Sequence, residues 1–379
     1  MRTGLLFLVL VSSSLAQDLS GEIHSKMLAE IKSGKTELSR IPLKVSTKVI
    51  TYIETRQNGN GSNYQEKIKD FAQKEIAIKL FNLNRGFTRT IRIKKLGPSL
   101  VNLNKDFVLE IEPRLSGIRW NGFNTAYRVV KPSGWVVILN KYPTMQKNKK
   151  RKDIIYAPYS TSLHAQQLIV AGQEYLIKTI ASALTSLDAN KKHDNNSRFI
   201  RILGPLMTLV LIEQTDAFEF YDFINHDRAY NPLERVSVII AINGDEAYSQ
   251  TSSPASASGL MQYTKPTWKM IRKEYPWAKL PPFETGVTNH TQSIRAAALL
   301  YDHNIKQLKK NFGEKIMEDL NLEHSLAAGY NGGIGSVIKA IAISRENSTD
   351  WRVELRKLKK TNESLEYLEK LDYILKTDK

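Results

Sequence analysis

Glu246 has the sequence surroundings most suggestive of chemistry. It follows the run Val236 to Ile242, apolar on every side, and precedes a loop leading through Ser253-Pro254-Ala255-Ser256-Ala257-Ser258 to Gly259-Leu260-Met261-Gln262. A carboxyl delivered by a buried helix and held against apolar walls has its charged form disfavoured. It then stays protonated near neutral pH and can act as a general acid. That suits glycosidic cleavage, where a leaving oxygen must be protonated. Taken alone, a Glu at a helix end is more often a solvated surface residue. A hydrolysing glycosidase normally has two carboxylates, but the neighbouring Asp245 would project about 100° away on a helix and so would not face the same sugar ring. A single acid favours a substrate-assisted route. Cysteine is absent, which removes thiol nucleophiles, Cys-ligated zinc and disulfides. Neither a metal-ligand cluster nor a phosphate-cradling glycine loop stands in the sequence, so no metal and no cofactor is expected.

The elements that must position this carboxyl are helical. Asn231-Pro232 reads as a helix start, with Pro in the first turn and Glu234 behind it. A helix apolar all round, as Val236 to Ile242 predicts, is the buried central helix of a helical domain. Upstream, Leu163 to Leu187 carries a broad apolar stripe at helical spacing, and Phe199 to Tyr221 predicts a second helical stretch with a break or restart at Gly204-Pro205. Downstream, Trp351 to Leu375 predicts one or two charged helices that pack through Trp351, Leu355, Leu358, Leu365, Leu368 and Leu371. The first part of the chain has a different grammar. After the turn chemistry of residues 58–62, Tyr64 to Leu80 predicts a helix through Ile68, Phe71, Ile76 and Leu80. Strands follow at Phe87 to Lys94, Phe107 to Ile111 and Val129 to Leu139, the last broken by a hairpin turn at Pro132-Ser133-Gly134. No internal repeat is present.

Taken in register, Glu246, Ser253-Pro254, Gly259-Leu260-Met261-Gln262, Pro266-Thr267, Gln292 to Tyr301 and Ala327-Ala328-Gly329-Tyr330-Asn331-Gly332-Gly333 resemble the soluble lytic transglycosylase family, related to goose-type lysozymes. The resemblance covers roughly residues 230 to 342 and rests on three separate motifs in the right order. It implies a peptidoglycan-cleaving enzyme in which Glu246 is acid and base and Ser253 lies near the reacting sugar. Gln262 would hold sugar polar groups, and Tyr330 and Asn331 would line the cleft, with the Tyr330 hydroxyl near Glu246. It further implies that the substrate's N-acetyl group assists, giving a 1,6-anhydromuramoyl end. The sequence departs from the family where Ala247 replaces the usual Ser and Gly329 the usual Ala, and in a slightly shortened loop before Gly259. These departures bear on sugar preference. The fold class expected is α+β: a mainly helical, lysozyme-like catalytic domain over 155–379, preceded by a small α+β domain over 17–145 and a basic linker over 146–154.

Residues 1–16 run basic, apolar, then Ser14-Leu15-Ala16, the order of a secretory signal peptide. No other apolar run approaches the ~18 residues of a membrane span, so a protein exported to the periplasm or beyond, without a membrane span, is expected. The formal charge of +17 favours polyanionic partners. The densest basic stretch, Lys147 to Lys152, lacks interleaved aromatics for stacking on bases. Charge alone leaves nucleic acid, anionic lipid surfaces and an acidic cell wall open; the resemblance implies peptidoglycan glycan strands as the partner and no nucleic acid, and the oligomeric state is left open. Two other readings stand beside the transglycosylase: a lysozyme-type hydrolase of acetylated or deacetylated peptidoglycan, and a non-catalytic wall-binding protein.

Overall fold

The computed structural model describes residues 21–57, 63–97, 99–112, 122–145, 150–190, 202–226, 230–251, 256–319, 321–358 and 362–377. The leader expected over 1–16 lies outside them. The chain forms two compact units: one is built from Glu174–Ala217 with Asp245–Lys379, the other from within Ser12–Gln173 with Phe218–Gly244.

The unit nearer the N-terminus opens with helix α1 (Gly21–Ser39), whose buried positions Met27, Ile31, Gly34 and Leu38 recur at helical spacing. A Cβ at Gly34 would sit 2.6 Å from Cδ of Lys79 and 2.8 Å from Cδ1 of Leu139, so glycine lets the helix lie close on the sheet. Strands β1 (Val49–Gln57) and β2 (Asn63–Phe71) form an antiparallel ribbon. A five-stranded antiparallel sheet follows in the order β5-β4-β3-β8-β9, from β3 (Lys74–Asn82), β4 (Thr88–Leu96), β5 (Ser99–Asn102), β8 (Trp135–Met145) and β9 (Arg151–Tyr156). Strands β6 (Val108–Ile111) and β7 (Tyr127–Lys131) pair separately. One cluster, including Ile76, Ile78, Leu80, Ile91, Ile93, Leu109, Tyr127, Trp135 and Val137, forms the core.

Three expectations change here. The helix expected over Tyr64 to Leu80 is instead β2 and β3, because Ile76, Ile78 and Leu80 alternate onto one buried face. The turn at Pro132-Ser133-Gly134 joins two strands that pair with other partners, β7 with β6 and β8 with β3 and β9. The basic stretch expected as a linker over 146–154 becomes sheet from Arg151, where β9 pairs with β8; residues 146–149 lie outside the described set. An edge strand tolerates such charges. Arg151 pairs with Asp153 at 2.6 Å, and the Lys152 carbonyl accepts from the Thr144 hydroxyl.

The rest is helical. Helix α2 spans Gln166–Asn190, α3 Leu203–Glu213, α4 Ala217–His226 and α5 Pro232–Asn243. Helix α3 starts at Leu203, directly before Gly204-Pro205, where a restart is expected; residues 191–201 lie outside the described residues, and a second break follows Glu213. Helix α5 starts as expected: the Asn231 side chain accepts from the Leu233 N–H, and residues 232–240 are buried without exception. Then come α6 (Lys265–Glu274), α7 (Phe283–Gly286), α8 (His290–Phe312), α9 (Leu322–Gly332) and α10 (Ile334–Asn347), with α11 (Trp351–Lys357) and α12 (Asn362–Thr377) as the expected C-terminal pair. Among the described residues, no helix is long and apolar enough to cross a membrane.

Candidate functional site

Gly244, at φ +57°, ends α5 by donating its N–H to the Ile240 carbonyl, and the next turn is a 3-10 helix over Gly244–Glu246. Glu246 is thus carried on a short turn at the end of a rigid buried helix. Its side chain is exposed, so the described residues do not enclose it in the apolar walls expected around it. The carbonyl of Glu246 accepts from the Ser249 hydroxyl at 2.9 Å, and that of Tyr248 from the Thr251 hydroxyl at 2.6 Å. These bonds wind the chain leaving Glu246 into consecutive tight turns.

Thr251 joins this loop to the Gly-Leu-Met-Gln turn. Its carbonyl accepts from the Gly259 N–H at 3.3 Å, and its hydroxyl accepts from Nε2 of Gln262 at 3.2 Å. The second N–H of the Gln262 amide goes to the Gly259 carbonyl at 2.7 Å. A carbonyl accepts only, which fixes the amide's orientation: both donors point inward. Gly259 sits at φ +78°, and a Cβ there would be 1.9 Å from the Val287 carbonyl oxygen, so no other residue fits. Leu260 and Met261 are fully buried anchors. From α3, the Gln214 amide donates to the carbonyls of Gly259 and Leu260 at 3.1 and 2.7 Å. The turn is therefore held from two sides.

Tyr330, near the end of α9, donates its hydroxyl to the Met261 carbonyl at 2.8 Å and packs edge-on against Tyr263, which packs in turn against Trp268. Burial pushes the Tyr330 phenol well above its ordinary range, so it remains a donor. Asn331 is exposed, and its Oδ1 accepts from the buried Ser364 hydroxyl of α12 at 3.2 Å. At Gly329 a Cβ would approach Cδ1 of Ile334 to 2.8 Å, a contact that the end of the Ile334 side chain can relieve by moving. Ala247 is fully buried. Ser253 lies outside the described residues.

The structure thus bonds Tyr330 of α9 to the turn that carries Gln262, ties that turn to the loop after Glu246 through Thr251, and sets Asn331 beside Tyr330. Sequence reasoning does not single out Gln214, Ser364, Tyr175 or His290. Their bonds are tertiary and carry no local pattern. Among the described residues, no group of His, Cys, Asp and Glu is arranged to hold a metal ion.

Residues 228–352 match the family model described as the transglycosylase SLT domain. The segment read by resemblance is therefore similar to the transglycosylase SLT domain, and the match supports peptidoglycan-cleaving activity of that general type. No curated protein matches the chain.

Proposed function

We propose that this chain is a peptidoglycan lytic transglycosylase that cleaves the β-1,4 bond between N-acetylmuramic acid and N-acetylglucosamine, with Glu246 as its one acid and base. The observation that carries the reading is Glu246 on the turn ending α5, knit through Thr251 to the Gly259–Gln262 turn, inside the matched segment. In the first step the Glu246 carboxyl gives its proton to the leaving glycosidic oxygen as the C1–O bond breaks, and the substrate's acetamido oxygen bonds to C1. In the second, the Glu246 carboxylate takes the proton of the muramoyl 6-hydroxyl, whose oxygen displaces the acetamido oxygen. Glu246 ends protonated and the product carries a 1,6-anhydro end. No water is consumed.

The other site residues have roles that follow from their bonding. With both Gln262 donors committed inward, its Oε1 is the atom left to accept from a sugar hydroxyl or amide. Tyr330, its proton on Met261, shapes the cleft wall. Asn331 presents an exposed amide; for Ser253, outside the described residues, the resemblance alone supports a place near the reacting sugar. An exposed Glu246 gains its apolar surroundings from the bound glycan, which expels water as it docks. The enzyme works outside the cytoplasm, where its substrate is, delivered there by the leader at 1–16. Glu246→Gln is expected to slow clearing of purified cell walls about 10²- to 10⁴-fold. Equal clearing by wild type and variant would contradict the catalytic reading and leave a wall-binding protein.

A further inference from the structure

The turn that carries Glu246 is gripped on both sides by one chain of hydrogen bonds. His290, the first residue of α8, is 3% exposed. Its Nε2 lies 2.7 Å from the Ala247 carbonyl and its Nδ1 2.9 Å from the Tyr175 hydroxyl. That hydroxyl also meets Oδ1 of Asp245, and the two rings stand edge to face, centroids 5.8 Å apart. Asp245 precedes Glu246 and Ala247 follows it, so the chain of bonds spans the acid. Tyr175 comes from α2, outside the matched residues 228–352.

Counting protons shows what this arrangement requires. The Ala247 carbonyl only accepts, so Nε2 bears a proton. A neutral imidazole would then turn a lone pair at Nδ1 toward Tyr175, whose single O–H would have to serve both Nδ1 and an ionised Asp245. Three links need three protons, and a neutral His, a Tyr and an ionised Asp bring two. With all three links made, the chain of bonds holds one further proton. We infer that Tyr175, His290 and Asp245 are positioning residues that share this proton and thereby hold the turn bearing Glu246 in its working geometry. The inference rests on the reading of Glu246 as the acid and base.

The groups acting on the imidazole are Asp245 from the turn, Tyr175 from α2 and the Ala247 carbonyl. Burial disfavours its cation and outweighs the Ala247 carbonyl and the Asp245 charge, which pull the other way, so the imidazole sits below its ordinary range. Groups coupled this closely titrate as a unit. When the shared proton leaves, lone pair faces lone pair at Nδ1 and one link opens. The turn loosens as pH rises, and kcat falls with it. Asp245→Asn changes the count: its amide brings an N–H to the Tyr175 oxygen and releases the Tyr175 proton to Nδ1. All three links are then made with no added proton.

The test is kcat and KM on purified peptidoglycan across pH for wild type, Tyr175→Phe, Asp245→Asn and Glu246→Gln, with the His290 ring followed by ¹⁵N NMR. Tyr175→Phe loses only a hydroxyl, and an unchanged melting temperature would show that the fold is retained. We expect it to lower kcat about tenfold or more with little change in KM, since a small displacement of an acid is enough. Asp245→Asn is expected to carry activity about one pH unit or more further into the alkaline range and to hold His290 as the neutral Nε2–H tautomer. Wild-type kcat profiles in both variants would overturn the positioning role. Glu246→Gln cutting as well as wild type would instead remove the reading of Glu246. In that case the NMR decides the shared proton alone: identical His290 titrations in wild type, Tyr175→Phe and Asp245→Asn would overturn it.

Discussion

Gly259 shows how little latitude single positions have around this site. A Cβ there would lie within 2 Å of the Val287 carbonyl oxygen, on a backbone already at positive φ. Gly259→Ala is expected to cost about 3 kcal/mol or more, read as a lowered melting temperature, because backbone must move to admit it. Glu213, at the end of α3, makes a different kind of prediction. Burial pushes its carboxyl up to about 8, partly offset by the Lys370 charge. The folded chain then binds a proton between its ordinary value of 4.5 and about 8 that the unfolded chain releases. The stability from this group is full below the lower value and is lost as pH rises through the upper one. Thermal melts should show wild type losing stability from pH 5 to pH 8.5, and Glu213→Gln should flatten that slope. Equal slopes would place the carboxyl in its usual range. Both glycine motifs are legible in the sequence, since Gly and its neighbours are local signals. Glu213 and Gln214 are not, because their partners lie far along the chain.

At the level of elements, α5 does the most to place Glu246 and is also the easiest to read. An Asn-Pro start and an apolar run without a polar face allow few alternatives to a buried helix. Its cap is testable: Asn231→Ala removes the acceptor of the Leu233 N–H and is expected to cost about 1 kcal/mol in denaturant unfolding. No change in the midpoint would show that the cap is solvent-replaceable. Strands β2 and β3 pass for a helix in the sequence because Ile68, Phe71, Ile76 and Leu80 satisfy a loose helical spacing. Alternation is decisive only once Ile78 is seen to share a face with Ile76 and Leu80. Helix α1 leaves almost no sequence signal. Its buried side is four residues, one of them Gly34, and glycine weakens any helix pattern. The braces on the site from α2 and α12, through Tyr175 and Ser364, lie beyond the matched segment. Those bonds exist only in the folded chain.

For the whole molecule, a charge of +17 is an association device more than a folding one. A basic enzyme is drawn to an anionic, insoluble polymer, and salt screens that attraction over about 8–10 Å at 0.1–0.15 M. Binding to purified walls should therefore weaken steadily between low and high salt in sedimentation assays, for Glu246→Gln as for wild type. Binding indifferent to salt would assign the charge another use. The most direct measurement is of the chemistry at the cut. Purified peptidoglycan digested to completion and examined by mass spectrometry should yield muropeptides ending in 1,6-anhydromuramic acid, lighter by one water than the reducing-end products, and far fewer of them with Glu246→Gln over the same time. Reducing ends alone would mean that water, not the 6-hydroxyl, attacks the anomeric carbon, and would contradict transglycosylation by a single carboxylate.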